Sequence, residues 1–363
     1  FMHKVKNGDQ EARLKWAELL KTRLETGESY IMFNDTVNNA NPPAYKNNGL
    51  KVNMTNICSE ITLHTDRDHS FICCLSSLNL YTYDTWKSYK STRTGFTVPQ
   101  IATLFLNGVL DEFINKAANI PYMEKTVASA KKGRAIGIGV MGWHSFLQSK
   151  MVAFESFSAM KLNNEIHKFI KEEAVKATEA LALERGEPEW CKGTGVYNSH
   201  LMALAPTRSN SIICGDIGPS IEAFVSNAYN DITAKGTFQR RNKHLKVLLE
   251  QKGQDNDEVW KSIIKNSGSV IHLDFLTDDE KNVFKTAYEI NQMVIVQQAA
   301  QRQKYTCQPQ SLNLFFPFDV DPLYFNKVHI AAWELGVKTL YYCRSTSGIK
   351  TSNDLEDCAS CEG

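Results

Sequence analysis

The chain has 363 residues, 42% hydrophobic and 22% charged, with a formal net charge of +1. This length suits one large domain or two ordinary ones with a substantial core. Without a long basic block a nucleic-acid polymer is excluded as partner, and without an apolar run of about 18 residues so is a membrane span, whereas small anionic ligands stay open. The opening "FMHKVKNGDQEARLKWAELL" is polar and amphipathic, unlike a signal peptide. Nine cysteines, an odd number unevenly spread, are expected to be reduced in a cytoplasmic setting unless redox-active.

Trp16, Leu19, Leu20 and Leu24 fall at helical spacing, and Gly27 is a stop signal. "NNANPPAYKNNG" (38–49) reads as loop by composition. Val52 to about Leu63 reads as extended, "HTDRDHS" as a polar turn, and "FICCLSSLNLYTY" (71–83) as a second extended segment. A helix is predicted from near Pro99 to Ala118. "KKGRAIGIGVMGWHSFL" (131–147) then passes from a basic turn into an apolar run. A long helix over 156–185 carries Ile166, Phe169, Ile170, Ala177 and Leu181 on one face and is ended by Gly186 and Pro188. Thr277-Asp278-Asp279-Glu280 is a capping box, predicted to open a helix reaching about Arg302. "QPQSLNLFFP", a helix near 322–335, Gly336 and "VKTLYY" (337–342) make a strand–helix–strand pattern that predicts parallel pairing. The closing "TSNDLEDCASCEG" reads as a mobile polar tail.

In "MTNICSEI" (54–61), Asn56, Cys58 and Glu60 occupy alternate positions, which an extended backbone would turn to one side. A nucleophilic cysteine wants a cation nearby, but the carboxylate of Glu60 opposes thiolate formation. A neutral thiol suits another task, losing and regaining a hydrogen atom, with the carboxylate as general base and the amide as orienting group. A half-buried strand is the ordinary alternative. Gly137-x-Gly139-x-x-Gly142 matches a dinucleotide fingerprint, but without the surrounding unit it reads as glycines allowing close packing. Pro206, Thr207, Arg208, Ser209, Asn210 and Ser211 combine hydroxyl, amide and guanidinium donors as a phosphate cradle would, or as a capped helix start would. Tyr341 and Tyr342, taken alone, read as packing residues. Cys358-x-x-Cys361 lacks a second ligand pair for zinc and is placed like a dithiol that carries electrons on an arm. The nine histidines show no metal-spaced cluster and read as structural, so no metal ligand is assigned.

Taken in order, "NICSE", "CCLSSLNL", "PTRSNS", "GVKTLYY" and the terminal C-x-x-C resemble the C-terminal half of the large, catalytic subunit of class I ribonucleotide reductases, over nearly the whole chain. The resemblance implies that Cys58 becomes a thiyl radical and takes the 3′ hydrogen of the ribose, that Glu60 is the base for the 3′ hydroxyl, and that Asn56 holds substrate hydroxyls. It makes Cys73 one of two cysteines that reduce the sugar and leaves Cys74 to packing. Tyr341 and Tyr342 correspond to the radical relay, residues 206–211 to the substrate phosphate loop, and Cys358 and Cys361 to the pair that re-reduces the active-site disulfide. Arg208 stands where family members carry an acidic residue.

The implied fold is α/β: the second half of a ten-stranded α/β barrel, five parallel strands with helices, over residues 1–352. A finger loop lies near 52–63, and a mobile redox tail covers 353–363. The second reducing cysteine, the ATP-cone region and the specificity loops of the family have no counterpart in this sequence. A half-barrel exposes a sheet edge and apolar surface, so the expectation is a split or truncated large subunit. As a ribonucleoside-diphosphate reductase component it would work with a chain carrying the N-terminal half and a class I small subunit whose di-metal centre supplies the radical. Electrons would come from thioredoxin or glutaredoxin, and this chain would bind no cofactor itself. Two other readings are a non-catalytic relative that binds nucleotide or partner subunits, and a thiol oxidoreductase built on the tail pair.

Overall fold

Five short stretches lie side by side in parallel, in chain order, in the computed structural model, which describes residues 1–233 and 236–346. Leu75–Asn79 pairs with Gly137–Met141 from Leu75↔Gly137 to Asn79↔Met141. Ile138 bridges Met202, and Leu204 bridges Gln310, both in parallel. Leu314–Pro317 pairs with Cys343–Thr346 from Leu314↔Cys343 to Pro317↔Thr346. Helices occupy every connection: Val98–Ala117 and Glu124–Gly133 in the first, Trp143–Ser149 and Phe157–Arg185 in the second, Gln292–Gln303 in the third, Pro322–Glu334 in the fourth. Helical crossovers are what parallel neighbours require. Among the described residues this order does not close into a ring, and each regular sheet has two strands.

Parallel strands covered by helices on their faces are buried throughout, and all five residues of Gly137–Met141 are buried. Leu106, Leu110, Ile166, Ile170, Val296 and Val328 pack over Ile138, Val140, Leu204 and Leu314 in the main core. A smaller core of Leu245, Leu249, Trp260, Ile263 and Phe284 lies in the third connection. No helix among the described residues is long and apolar enough to cross a membrane.

The glycines of the 137–142 motif serve packing. A Cβ on Gly139 would lie 2.7 Å from the Ala203 carbonyl oxygen, and one on Gly137 would lie 2.3 Å from Leu75 Cδ2. Only glycine allows the third segment this close.

The helix of Trp16 runs Gln10–Thr26 and ends on Gly27 at φ +77°. Inside it Arg23 is buried and donates to His329 Nε2 at 3.0 Å, the Ser29 carbonyl at 2.6 Å and the Tyr341 carbonyl at 2.7 Å. Burial lowers its pKa to about 10.

Four expectations need correction. The 38–49 stretch overlaps two short helices, Asn34–Asn39 and Pro43–Asn47, the second opened by Pro43, whose ring presets a helical φ. Residues 131–133 belong to a helix rather than a turn. The capping box at Thr277 is present, but its helix stops at Val283. A new helix starts at Gln292, because Ala287 N donates to the Phe224 carbonyl and Asn291 caps a fresh N-terminus. The 337–342 strand divides: Thr339–Leu340 pairs antiparallel with Ile31–Met32, and the parallel partner of Leu314–Pro317 begins at Cys343.

Gly139→Ala should lower the free energy of unfolding by about 1–3 kcal/mol, because the added methyl meets a backbone carbonyl that cannot rotate away. Urea denaturation reads this as a fall in midpoint at constant slope; an unchanged midpoint would contradict the packing role.

Candidate active site

Residues 56–61 form a closed turn, not the extended run that the alternation suggested. Asn56 N donates to the Ile61 carbonyl at 3.2 Å, and Ser59 N donates to the Asn56 carbonyl at 3.1 Å. Ile61 N donates to Asn56 Oδ1 at 3.0 Å. Ser59 takes a left-handed φ of +66° at the bend. An asparagine side chain can stand in for a backbone group in this way, which favours turn over strand. The Asn56 side chain also hydrogen-bonds the Glu60 carboxylate. The amide and the carboxylate thus meet through the turn.

Two hydroxyls pin this loop, Ser311 from the fourth parallel segment and Thr339 from the short strand that pairs antiparallel with Ile31–Met32. Ser311 Oγ shares its proton between the Cys58 carbonyl at 2.5 Å and Glu60 Oε2 at 3.2 Å. Thr339 Oγ1 does the same for the Ser59 carbonyl at 2.9 Å and the Gln310 carbonyl at 3.0 Å. Neither residue was among the sequence candidates. Their signal was faint: a single serine or threonine inside each of two strand candidates, where burial demands a hydrogen-bond partner.

Glu60 is 2% exposed. Burial raises its pKa, and hydrogen bonds from Asn56 and Ser311 only partly offset this. Cys73 Sγ lies 4.0 Å from Glu60 Oε1. Cys73 is exposed at the rim, yet the atoms crowding its sulfur, followed by the Glu60 charge, push its thiol up to about 12. Cys73 thus has the setting of a neutral thiol beside a carboxylate. Cys58 is half-buried and in no disulfide. Cys74 is buried with Sγ 3.6 Å from the Leu106 carbonyl, in keeping with a packing role.

The Tyr341 and Tyr342 rings lie 4.4 Å apart at 59°, both buried. A third ring, Tyr30, stands 4.7 Å from Tyr341 and 5.0 Å from Tyr342, and the Arg344 guanidinium lies 4.0 Å over Tyr342. Tyr30 was not foreseen, because it reaches the pair only through the antiparallel pairing of Ile31 with Leu340. Thr339, which holds the Ser59 carbonyl, comes two residues before Tyr341. The aromatic cluster and the Cys58 loop therefore share an anchor.

Of the 206–211 group, Arg208, Ser209 and Asn210 are exposed at the start of the short helix Arg208–Ile213. Thr207 Oγ1 instead accepts from Ser220 N at 2.8 Å, and Ser211 Oγ donates to the Arg208 carbonyl at 2.8 Å. Pro206 is half-buried. Nearby Glu222 accepts from Asn313 Nδ2 at 3.0 Å, and Asn313 Oδ1 accepts from Tyr342 N at 3.1 Å. Burial pushes Glu222 up to about 7, against the pull of Asn313, Arg344 and Arg208. Cys358 and Cys361 lie outside the described residues.

A succession of parallel strands joined by helices, with a thiol and carboxylate loop pinned beside them, defines an α/β protein with a thiol-bearing site. The chain belongs to the ribonucleotide reductase family: a family model described as "Ribonucleotide reductase, barrel domain" matches residues 2–194 and 189–343. It is 44% identical over 365 residues to the ribonucleoside-diphosphate reductase large subunit of Invertebrate iridescent virus 3, covering 96% of this chain and 56% of that protein. It is 30% identical over 385 residues to the large subunit of Danio rerio, covering 94% and 47%. Among solved structures, the Actinobacillus ureae class Id ribonucleotide reductase alpha subunit superposes with a TM-score of 0.88 at 43% identity, covering 98% of this chain and 64% of that one. The chain thus spans about half to two-thirds the length of these relatives.

Glu222 offers a pH test. Its folded-state pKa, about 7, lies above the ordinary 4.5, so folding takes up a proton, and stability present below pH 4.5 is lost as pH rises through 7. Between pH 5 and pH 8 the parent chain should lose about 1–3 kcal/mol that Glu222→Gln keeps. Urea midpoints at the two pH values decide it, and parallel pH slopes would contradict the assignment.

Proposed function

We propose that this chain is the catalytic half of a ribonucleoside-diphosphate reductase large subunit, which reduces ribonucleotides by a thiyl-radical route. The observation that carries the reading is that Ser311 holds the Cys58 carbonyl and Glu60 while Thr339, two residues before Tyr341 in the same chain segment, holds the Ser59 carbonyl of that loop. It ties a thiol, a buried carboxylate and two touching phenols into one rigid unit.

In this reading the loop is the finger of a ten-stranded barrel whose other five strands lie in the region of the family that this chain does not span. That region also carries the second reducing cysteine, as a separate chain or as another part of a longer one. The radical equivalent originates at the di-metal centre of a small subunit and passes through Tyr342 and Tyr341 to Cys58, each step moving one electron and one proton. The Cys58 thiyl takes the 3′ hydrogen. Glu60, made more basic by burial, accepts the 3′ hydroxyl proton. The 2′ hydroxyl leaves as water with the proton of the Cys73 thiol, which is held neutral at physiological pH. Cys73 and the second cysteine supply two electrons in forming a disulfide, the remaining thiol hydrogen goes to C2′, Glu60 returns its proton to the 3′ oxygen, and Cys58 returns the hydrogen atom to C3′. Cys358 and Cys361 reduce that disulfide by exchange and are themselves reduced by thioredoxin or glutaredoxin. Asn56, already turned toward Glu60, orients the substrate hydroxyls. Arg208, Ser209 and Asn210 offer donors to the diphosphate, while Thr207 and Ser211 shape that turn from within. Reduced thiols fit a cytoplasmic setting.

The tests use the reconstituted holoenzyme. Cys58→Ser should cut deoxynucleotide formation by at least about 1,000-fold while leaving the melting temperature unchanged; retained turnover would sink the thiyl assignment. Tyr341→Phe removes the oxidisable phenol and keeps the ring packing. It should abolish turnover driven by the small subunit and leave nucleotide binding as it was, and turnover near the parent rate would exclude Tyr341 from the relay.

A further inference from the structure

One group of ligand-type side chains takes no part in that reaction. "HTDRDH" (64–69) lies between the pinned loop and Cys73. Here one atom each of His64, Asp66 and His69 falls within 4.8 Å of the other two. His64 Nε2 is 2.9 Å from Asp66 Oδ2, and His69 Nδ1 is 2.9 Å from Asp66 Oδ1. Both imidazoles are largely covered, at 11% and 17% side-chain exposure, whereas the carboxylate is 43% exposed.

The group is held before any ligand arrives. His64 N donates to Tyr45 Oη at 3.1 Å, and His64 Nδ1 sits 2.7 Å from the Lys51 carbonyl. The edge of Trp190 packs on both rings, 6.1 Å from His64 and 5.3 Å from His69. Asp66 Oδ1 accepts from the backbone N of Asp68 at 2.7 Å and of His69 at 2.8 Å, which closes the turn and leaves Oδ2 toward His64.

The protons on His64 decide what this contact can be. A carbonyl only accepts, so His64 Nδ1 carries a proton toward Lys51. In the neutral ring Nε2 is then a bare lone pair, facing a carboxylate oxygen at 2.9 Å. Two acceptors do not meet at that distance unless a cation stands with them, either a second proton on the ring or a metal ion. A histidine oriented by Nδ1–H to a backbone carbonyl, with Nε2 presented outward, has the arrangement of a metal ligand. Bonds of about 2.0–2.2 Å around a tetrahedral ion put its ligand atoms roughly 3.3–3.5 Å apart, within the spread found here. Two imidazoles and one carboxylate suit a borderline divalent ion better than calcium or magnesium, and the exposed side of Asp66 leaves a fourth position for water.

We propose that His64, Asp66 and His69 form a three-ligand site for a divalent ion of the zinc type. The ion would clamp the turn that joins the leg leaving Glu60 to the strand that follows Cys73. The proposal does not rest on the ribonucleotide reading, and its test needs no turnover.

The probe is Co²⁺, followed by its visible absorption, with Zn²⁺ binding counted by equilibrium dialysis. Both use the full chain carrying Cys358→Ser and Cys361→Ser, so that tail thiols do not compete. One equivalent should bind, with d–d bands and no near-ultraviolet thiolate charge-transfer band, and Zn²⁺ should raise the melting temperature. Asp66→Asn and His69→Gln, checked for native circular dichroism, should each weaken binding at least about tenfold. Failure to bind at about 100 µM free metal, binding unchanged in both variants, or a thiolate charge-transfer band would each overturn the site. A protonated His64 would then account for the contact.

Discussion

A carboxylate cannot be buried without donors, and the answer found for Glu60 organises much of this molecule. Taking an ionisable oxygen pair out of water costs several kcal/mol unless hydrogen bonds replace the lost hydration. Asn56 supplies one from inside the turn, and Ser311 supplies another from the fourth parallel segment. Ser311 and Thr339 also hold the carbonyls of Cys58 and Ser59. The turn therefore takes its position from the register of the strands beneath it. A one-residue slip in either segment would send its hydroxyl to the opposite face, leaving the carboxylate and two carbonyls without these partners.

That anchoring also sets the electrostatics. The same burial that raises Glu60 acts on Cys73, whose thiol stays protonated because both desolvation and the neighbouring carboxylate disfavour the thiolate. Reactive nucleophilic cysteines sit in the opposite surroundings, beside cations or helix N-termini. This environment favours chemistry in which a sulfur moves with its hydrogen. The tyrosines are held with equal firmness: the carbonyl of Tyr341 receives the buried guanidinium of Arg23, and the backbone N of Tyr342 donates to the Asn313 side chain that also holds Glu222. Three rings within about 5 Å of one another keep their spacing because their backbone is fixed at both ends.

What the sequence disclosed depended on range. Helices Gln10–Thr26, Val98–Ala117, Phe157–Arg185 and Pro322–Glu334 carry their stop and cap signals within a few residues, and all four were legible. The motifs in their order were legible as a family pattern. The means by which Asn56, Cys58 and Glu60 come together was not: alternation suggested a strand, whereas the Asn56 side chain competes for the backbone and makes a turn. The break after Val283 was hidden because a carbonyl from Phe224, far away in sequence, takes the amide of Ala287. Ser311 and Thr339 act across separations of 251 to 280 residues, and no local window contains both partners. His64, Asp66 and His69 were in plain view as residues, but their convergence depends on a turn closed by Asp66 itself.

The parallel order has two unlike ends, and the difference bears on how the proposed site would be completed. At Cys343–Thr346 the edge is partly covered, since Cys343 N donates to the Gly27 carbonyl and Ile31–Met32 pairs with the preceding Thr339–Leu340. At Leu75–Asn79 the only strand partner among the described residues is Gly137–Met141. Cys73 leads directly into that open edge and is itself exposed. An unpaired strand edge is a template for another strand. A further strand added there would have its side chains beside Cys73, whereas one added at the other end would lie across the full set of parallel segments from it. In the proposed reading, the side from which a second reducing thiol must approach is therefore set by the order of strands in this chain.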